Sequence, residues 1–290
     1  MGMKIFLNGE FVDRSEAKIS VFDHGLLYGD GVFEGIRSYN RRVFRLREHI
    51  DRLYEGARYI RLDIQMEKKV LEDKIIEALK LNDLSDAYIR VVVTRGEGDL
   101  GLDPRKCGKP TIFIIADKIK LYPEELYIKG MPITIAGTRR NHPASIDPRI
   151  KSLNYLNNIL ARIEAIDAGV EEALMMSIDG NVVECTGDNI FVVKDDKLMT
   201  PPSEMGALKG VTQGVVMEIA SEMELSAEHR VMTPEDVLFS DECFLTGTAA
   251  EIIPVVSIDG NVIGSGKPGK ITMRLIKAYH ELTLKEGVAY

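Results

Sequence analysis

A chain of 290 residues is longer than one hydrophobic core usually serves, so two domains around separate cores are the expected arrangement. Hydrophobic residues make up 45% and charged residues 28%, the balance of a folded protein, and no low-complexity tract interrupts it. A net charge of -8 argues against a nucleic-acid partner, which needs dense Lys/Arg clusters, but a few arginines and backbone amides are enough to hold a small anion.

The opening MGMKIFLNGE lacks the apolar core of a signal peptide, and no apolar run approaches the roughly 18 residues that span a bilayer. The expected location is therefore the cytoplasm, with no membrane partner. Cys107, Cys185 and Cys243 are an odd number without short spacing and are read as small buried hydrophobes. The histidines, His24, His49, His142, His229 and His280, form no i, i+4 pair, so no metal site is expected.

KIFLNGEFV reads as a hairpin about Asn8-Gly9, because both positions accept positive φ. Extended runs from Gly35 to Tyr39 and from Val43 to Leu46 flank Asn40-Arg41-Arg42. A helix follows, with Ile50, Leu53, Tyr54 and Ala57 on one face. A second helix fits Glu67 to Leu81, where Val70, Leu71, Ile75 and Leu79 share a side. Two β-branched runs, Tyr88 to Thr94 and Thr111 to Ala116, are joined by a Gly- and Pro-rich loop. The first domain is expected to cover residues 1–119, a charged connector 120–131, and the second domain 132–290.

In the second domain, strands are predicted at Ile133 to Thr138, Glu172 to Ile178, Ile190 to Val193, Glu242 to Leu245 and Ile252 to Val256. Helices fit Asn154 to Ala168, Thr212 to Met223 and Lys270 to Glu286. SIDGNVVE (177–184) and SIDGNVIG (257–264) are nearly the same peptide, and Asp-Gly between alternating apolar residues explains both as hairpin turns.

GEGDLG (96–101) matches a dinucleotide fingerprint, but Pro104, Gly108 and Pro110 forbid the helix whose N-terminus would hold a pyrophosphate. It reads as a glycine-rich loop. Lys151 stands between Ile150 and Leu153 just before an apolar-periodic helix, where partial desolvation would bring its amine toward Schiff-base chemistry. ALKGVTQG (207–214) opens a helix and LTGTAAEI (245–252) follows a strand. Backbone N–H groups at Val211, Thr212, Thr248 and Ala249, with threonine hydroxyls, are the donors that a phosphate takes at a helix N-terminus or a backbone nest.

Taken in order, GLLYGDGVFEGIRSY (25–39), REHIDRLYEGA (47–57), AYIRVVVTRGEGDLGLDP (87–104), IKSLNYLNN (150–158), VECTGDNIF (183–191), ALKGVTQ (207–213) and FLTGTAAEIIPV (244–255) resemble the motifs of the class IV, or fold type IV, aminotransferases. Within that family the likeness is to the branched-chain amino acid aminotransferases. The resemblance implies an α/β fold of α+β type: a small N-terminal α/β domain and a larger C-terminal domain, mixed and β-barrel-like, with helices.

It also implies pyridoxal 5'-phosphate as cofactor, with Lys151 as its Schiff-base lysine and proton carrier and Glu184 beside its ring nitrogen. Tyr155 would meet the ring's phenolic oxygen and Leu208 its face. Arg52, with the Gly210, Val211, Thr212 and Thr248 region, would hold the phosphate. Tyr28, Phe33, Gly35, Arg37, Tyr88, Arg90, Leu100, Leu102, Thr248 and Ala249 would line the substrate site. Tyr28, Leu100 and Leu102 would serve a partner subunit in a homodimer at least, or in a larger ring of dimers.

Small-molecule amino acids and 2-oxo acids are then the expected ligands. The function implied is transfer of the α-amino group between Leu, Ile or Val and 2-oxoglutarate. The D-amino acid aminotransferases and aminodeoxychorismate lyases share this fold. The former carry an Arg-x-His pair where this chain has Arg105 and Cys107, and the latter lack the VFEGIR string. A non-catalytic binding protein would lack the lysine or the glutamate, and both are here.

Overall fold

In a computed structural model that describes residues 2–119 and 122–290, Asn8 and Gly9 take φ of 49° and 108° and reverse β1 (Lys4–Leu7) into β2 (Glu10–Asp13). The short helix α1 (His24–Tyr28) leads to β3 (Gly31–Tyr39), and Asn40-Arg41, both at positive φ, turn the chain into β4 (Arg42–Val43). The extended run expected to reach Leu46 stops at Val43. Arg45 adopts a left-handed φ of 50° that ends the strand, and Leu46 opens α2 (Leu46–Tyr59).

Then come α3 (Lys68–Leu81), β5 (Ala87–Thr94) and β6 (Thr111–Asp117). Leu46, His49, Ile50, Leu53, Gly56 and Ala57 form the buried stripe of α2 at helical spacing. In α3 the stripe is Leu71, Ile75, Ala78 and Leu79. Val70, expected on it, lies to one side and is 42% exposed. No dinucleotide-type helix follows the 96–101 loop, only a single 3₁₀ turn at Pro104–Lys106.

The described residues divide into two units. The first contains the residues through Ile119 together with Ile150–Asn154 and Thr283–Tyr290, so it is not the contiguous stretch that the residue pattern suggested. The reason is hydrogen bonding: Val288 pairs with Val43, and Leu153 N–H donates to Gly31 C=O at 2.9 Å. Its seven-stranded sheet is antiparallel throughout, and the central strands β3 and β5 bury Val32, Ile36, Ile89 and Val91 against α2 and α3. Each such side chain stabilises the unit by about 1.5 to 3 kcal/mol.

The second unit comprises residues 122–149 and 155–282. Residues 120 and 121 of the expected connector lie outside the described residues, and the rest of it is not a bare linker but contains α4 (Glu124–Lys129). There follow β7 (Met131–Ile135), α5 (Leu156–Asp167), β8 (Ala173–Met176), β9 (Val182–Cys185), β10 (Asn189–Lys194) and β11 (Lys197–Thr200). Next are α6 (Val211–Glu222), β12 (Ala227–His229), α7 (Pro234–Leu238), β13 (Glu242–Gly247), β14 (Glu251–Ile258), β15 (Asn261–Val262) and α8 (Lys270–Lys285); β16 (Val288–Ala289) belongs to the first sheet.

Strand order in the second sheet is β12-β11-β10-β13-β14-β7-β8-β9, with β15 on β14. β9 ends the order, yet a three-residue turn joins it to β10, third from the other end, and Cys185 N–H donates to Asp188 C=O at 2.8 Å. A sheet whose last strand returns to its third must curl, and this one forms half a barrel. The fold is mixed α/β, as expected. Both Asp-Gly peptides turn hairpins, β8 into β9 and β14 into β15. Cys185 and Cys243 are buried, whereas Cys107, expected to be so, is half-exposed on a loop that has no core to enter.

Candidate active site

The first unit sorts its side chains by strand register. β3 and β5 pair from Gly31↔Thr94 to Ser38↔Ala87, and residues directly opposite each other point to the same side. Phe33, Gly35 and Arg37 therefore share a face with Val92, Arg90 and Tyr88. On that face the Arg90 guanidinium lies 4.5 Å from the Phe33 ring centre and 5.4 Å from that of Tyr88. It has no carboxylate partner among the described residues.

Lys151 Nζ stands 4.7 Å from the same Phe33 ring. Backbone bonds put it there, since Phe33 N–H donates to the Lys151 carbonyl at 3.0 Å and Ser152 bridges to Val32. Gly35 leaves room for the Tyr88 ring, since a Cβ there would come within 2.0 Å of the Tyr88 hydroxyl and displace it. Arg37 lies over the Tyr39 ring at 5.1 Å. Tyr28 donates its hydroxyl hydrogen to the Leu100 carbonyl at 2.6 Å, and Leu100 and Leu102 are 69% and 79% exposed.

The opposite face of β3 carries a group that the residue pattern did not assign. Glu34, fully buried beside Val32 and Ile36, accepts from Arg52 Nε at 2.7 Å, from Arg52 Nη2 at 2.8 Å and from His49 Nδ1 at 2.8 Å. His49 and Arg52 are three apart on α2 and so share its inner face. The visible signal was the lone acid in V-x-E-x-I, where strand alternation puts Glu34 on the apolar side. Arg52, expected at a phosphate, has two of its nitrogens committed to this carboxylate.

In the second unit Glu184 is held from three sides. Arg140 Nε donates to its Oε1 at 2.8 Å, Leu208 N–H to Oε2 at 2.8 Å, and Asn189 Nδ2 approaches Oε2 at 3.4 Å while bonding the Leu208 carbonyl at 2.8 Å. Arg140 is oriented in turn by Asn157 and Asn158. Arg140, Asn158 and Asn189 were not anticipated; Arg140 and Asn158 have partners 17 or more residues away, and Asn189, five residues from Glu184, is brought back to it only by the turn between β9 and β10. The turn after Glu184 is pinned by buried Glu172, which accepts from Thr186 N–H, Thr186 Oγ1 and Gly187 N–H, and burial pushes the Glu172 carboxyl up.

Gly210 is the N-cap of α6, and no side chain caps its first turn. The leading amides of a twelve-residue helix, Val211 and Thr212 among them, thus receive no side-chain cap, an arrangement that suits an anion. A Cβ on Gly210 would meet Asn189 Oδ1 at 2.0 Å. Thr248 and Ala249 occupy the turn between β13 and β14, and Tyr155 is the N-cap residue of α5.

A family model described as amino-transferase class IV matches residues 31–258. The chain belongs to the class IV aminotransferases. It is 52% identical to the "Putative branched-chain-amino-acid aminotransferase" of Methanocaldococcus jannaschii over 99% of this chain and 98% of that one. Among solved structures it resembles the Escherichia coli branched-chain amino acid aminotransferase with a TM-score of 0.95, at 34% identity over 98% of this chain and 95% of the other. The branched-chain aminotransferase of the archaeon Thermoproteus uzoniensis, solved with norvaline, gives 0.92 at 36% identity, covering 98% and 95%.

A class IV aminotransferase is an enzyme that uses pyridoxal phosphate and acts on amino and oxo acids. The residues present fit that group. The uncapped start of α6 suits its phosphate, and the fixed Glu184 carboxylate suits a protonated ring nitrogen.

Charge in the first unit is tied to pH through the Glu34 cluster. Burial pushes the Glu34 carboxyl up, but Arg52 first and then His49 outweigh it and bring it down to about 2. Burial pushes His49 down; Glu34 opposes this, and Arg52 and Lys151 add to it, so the imidazole takes up a proton less readily in the fold than in the unfolded chain. Both groups take protons more readily when unfolded. His49 therefore contributes stability that is present above pH 6.5 and erodes below it, and Glu34 contributes stability that is lost as pH falls from 4.5 toward 2. Urea midpoints should accordingly begin to fall below about pH 6.5, and His49→Leu should flatten the curve between about pH 7 and pH 5 while leaving the steeper acid limb. Parallel curves for the two proteins in that window would contradict the assignment.

Proposed function

We propose that this enzyme transfers the α-amino group between branched-chain L-amino acids and 2-oxoglutarate. The observation that carries the reading is the β3–β5 face, where apolar Phe33 lies beside both the Lys151 amine and an arginine without a carboxylate partner. Such a face suits an apolar substrate side chain and can also answer a second carboxylate. Burial of a leucine side chain there is worth about 1.5 to 3 kcal/mol.

Each residue is assigned a part in this proposal. Pyridoxal phosphate, when bound, supplies the ring that stores the charge left on the substrate's α-carbon. Lys151 holds the cofactor and moves the proton to and from that carbon. Glu184, oriented by Arg140 and the Leu208 amide, keeps the ring nitrogen protonated. Tyr155 donates to the phenolic oxygen, Leu208 covers the ring, and Arg52, Gly210, Val211, Thr212 and Thr248 take the phosphate. Tyr88 and the Thr248 and Ala249 amides hold the α-carboxylate, Gly35 admits the Tyr88 hydroxyl, and Arg37, on the same strand face, lines the substrate site. Arg90 receives the distal carboxylate of glutamate or 2-oxoglutarate.

The second copy of a homodimer is proposed to contribute Tyr28, Leu100 and Leu102. Each unit exposes an apolar group that supports association: Val21, Phe22, Leu26, Leu100 and Leu102 in the first, and the stripe Leu156, Ile159, Leu160, Ile163 and Ile166 along α5 in the second. No helix among the described residues is long and apolar enough to cross a membrane, and the cytoplasm is the proposed location.

Lys151→Ala is expected to fold and to abolish transamination; ordinary turnover of leucine with 2-oxoglutarate by the variant would remove the central assignment. Arg90→Ala should weaken glutamate and 2-oxoglutarate selectively and keep the leucine half-reaction within about tenfold. An equal loss for both, read in single-turnover assays, would move Arg90 to the α-carboxylate or to the scaffold. Sedimentation equilibrium should return at least twice the mass of one chain, and a purely monomeric species would refute the shared site.

A further inference from the structure

A fully enclosed carboxylate of the first unit, Glu34, has no part in the chemistry assigned above. Glu34 is fully buried and His49 nearly so, and the strand positions on either side of Glu34 are Val32 and Ile36, both core residues. Stability alone is a poor reason for such a cluster, because well-packed apolar residues in place of a buried ion pair are often neutral or stabilising. Direction is a better reason. Side-on pairing through Nε and Nη2 fixes the plane of the Arg52 guanidinium to the plane of the Glu34 carboxylate, and His49 Nδ1 fixes that carboxylate in turn.

We propose that Glu34 and His49 are positioning residues whose buried clamp holds Arg52 in the orientation from which it takes the phosphate of the cofactor. The inference rests on the assignment of Arg52 to the phosphate. A flexible arginine must give up side-chain freedom when it meets an anion, and the clamp removes that cost before binding. Pairing with Glu34 also reduces the net charge that Arg52 presents. The clamp therefore trades attraction for direction, and the two effects predict opposite outcomes when Glu34 loses its charge.

The test uses the full-length apoenzyme titrated with pyridoxal phosphate and, separately, with pyridoxal, which lacks the phosphate. Glu34→Gln should weaken pyridoxal phosphate binding by about tenfold or more, the loss typical when the group that orients a ligand-binding side chain is removed, and leave pyridoxal affinity unchanged. His49→Leu, which removes the second support but keeps the Arg52–Glu34 pair, should produce a smaller loss of the same kind. It decides the matter if Glu34→Gln does not fold.

Unchanged or tighter pyridoxal phosphate binding in these variants, or equal weakening of both ligands, overturns the clamp. Arg52→Gln separates the clamp from the assignment on which it rests. If it selectively weakens pyridoxal phosphate while the Glu34 and His49 variants do not, positioning fails and the Arg52 assignment stands. If it has no effect on pyridoxal phosphate, both fail.

Discussion

Everything on the first unit's functional side depends on the two-residue period of β3. Because successive side chains leave a strand on opposite sides, one nine-residue segment serves two environments. Phe33 and Gly35 meet Lys151, Arg90 and Tyr88, while Val32, Glu34 and Ile36 enter the core beneath. The pairing with β5 makes this arrangement rigid. A slip of one residue would send Glu34 to the face of Lys151 and put Phe33 against α2, so the apolar residues that hold the register also hold the chemistry. The same strand also anchors Lys151, whose carbonyl accepts from Phe33. A lysine in a loop thus takes its place from a strand far earlier in the chain, through a backbone bond that most substitutions of Phe33 would keep and a proline would remove.

The second unit solves a related problem for Glu184. A buried carboxylate needs its oxygens filled, and the structure fills them with one charged donor, one backbone amide and one carboxamide. Arg140 and Glu184 are each about 6% exposed. Removing either from such a pair typically costs about 3 to 5 kcal/mol, because the other is left charged and alone. The Leu208 amide ties the position of Glu184 to the loop that leads into α6. The group proposed for the ring nitrogen and the cradle proposed for the phosphate are therefore set by one stretch of backbone, 208–212.

Local chemistry made much of this legible. Asn8-Gly9, Asp179-Gly180 and Asp259-Gly260 announce their hairpins because few other residue pairs accept the backbone angles required. Helical spacing located α2, α3, α5, α6 and α8 to within two residues at each end where ends were predicted. The strands β11 and β12 escaped because, at four and three residues, they are too short for a period to show and no Asn-Gly or Asp-Gly turn marks them. The same limit applies to the site. Lys151, Glu184 and Gly210, proposed for the site, stand in motifs, but Arg140 is 44 residues from Glu184 and their pairing exists only once β8 and β9 pair and the sheet curls. Glu34, His49 and Arg52 all lie within family motifs, yet only burial shows that they form one cluster.

Two arginines of the first unit show how the same side chain is made to behave differently. Arg52 meets a fully buried carboxylate side-on, through two charge-assisted bonds, while its own side chain stays 12% exposed, and its direction is therefore settled before any ligand arrives. Arg90 lies on aromatic faces, where attraction amounts to about 0.5 to 1 kcal/mol at a partly exposed position and depends only weakly on direction. It costs little to leave those rings for a carboxylate, and little is lost when an apolar side chain arrives and Arg90 stays where it is. A carboxylate partner like Glu34 at Arg90 would abolish that choice, since it would compete with a dicarboxylate substrate. Aromatic rings provide the one kind of support for a cation that is also an acceptable wall for leucine, which is why the proposed dual specificity would turn on Phe33, whose ring lies near both Arg90 and Lys151.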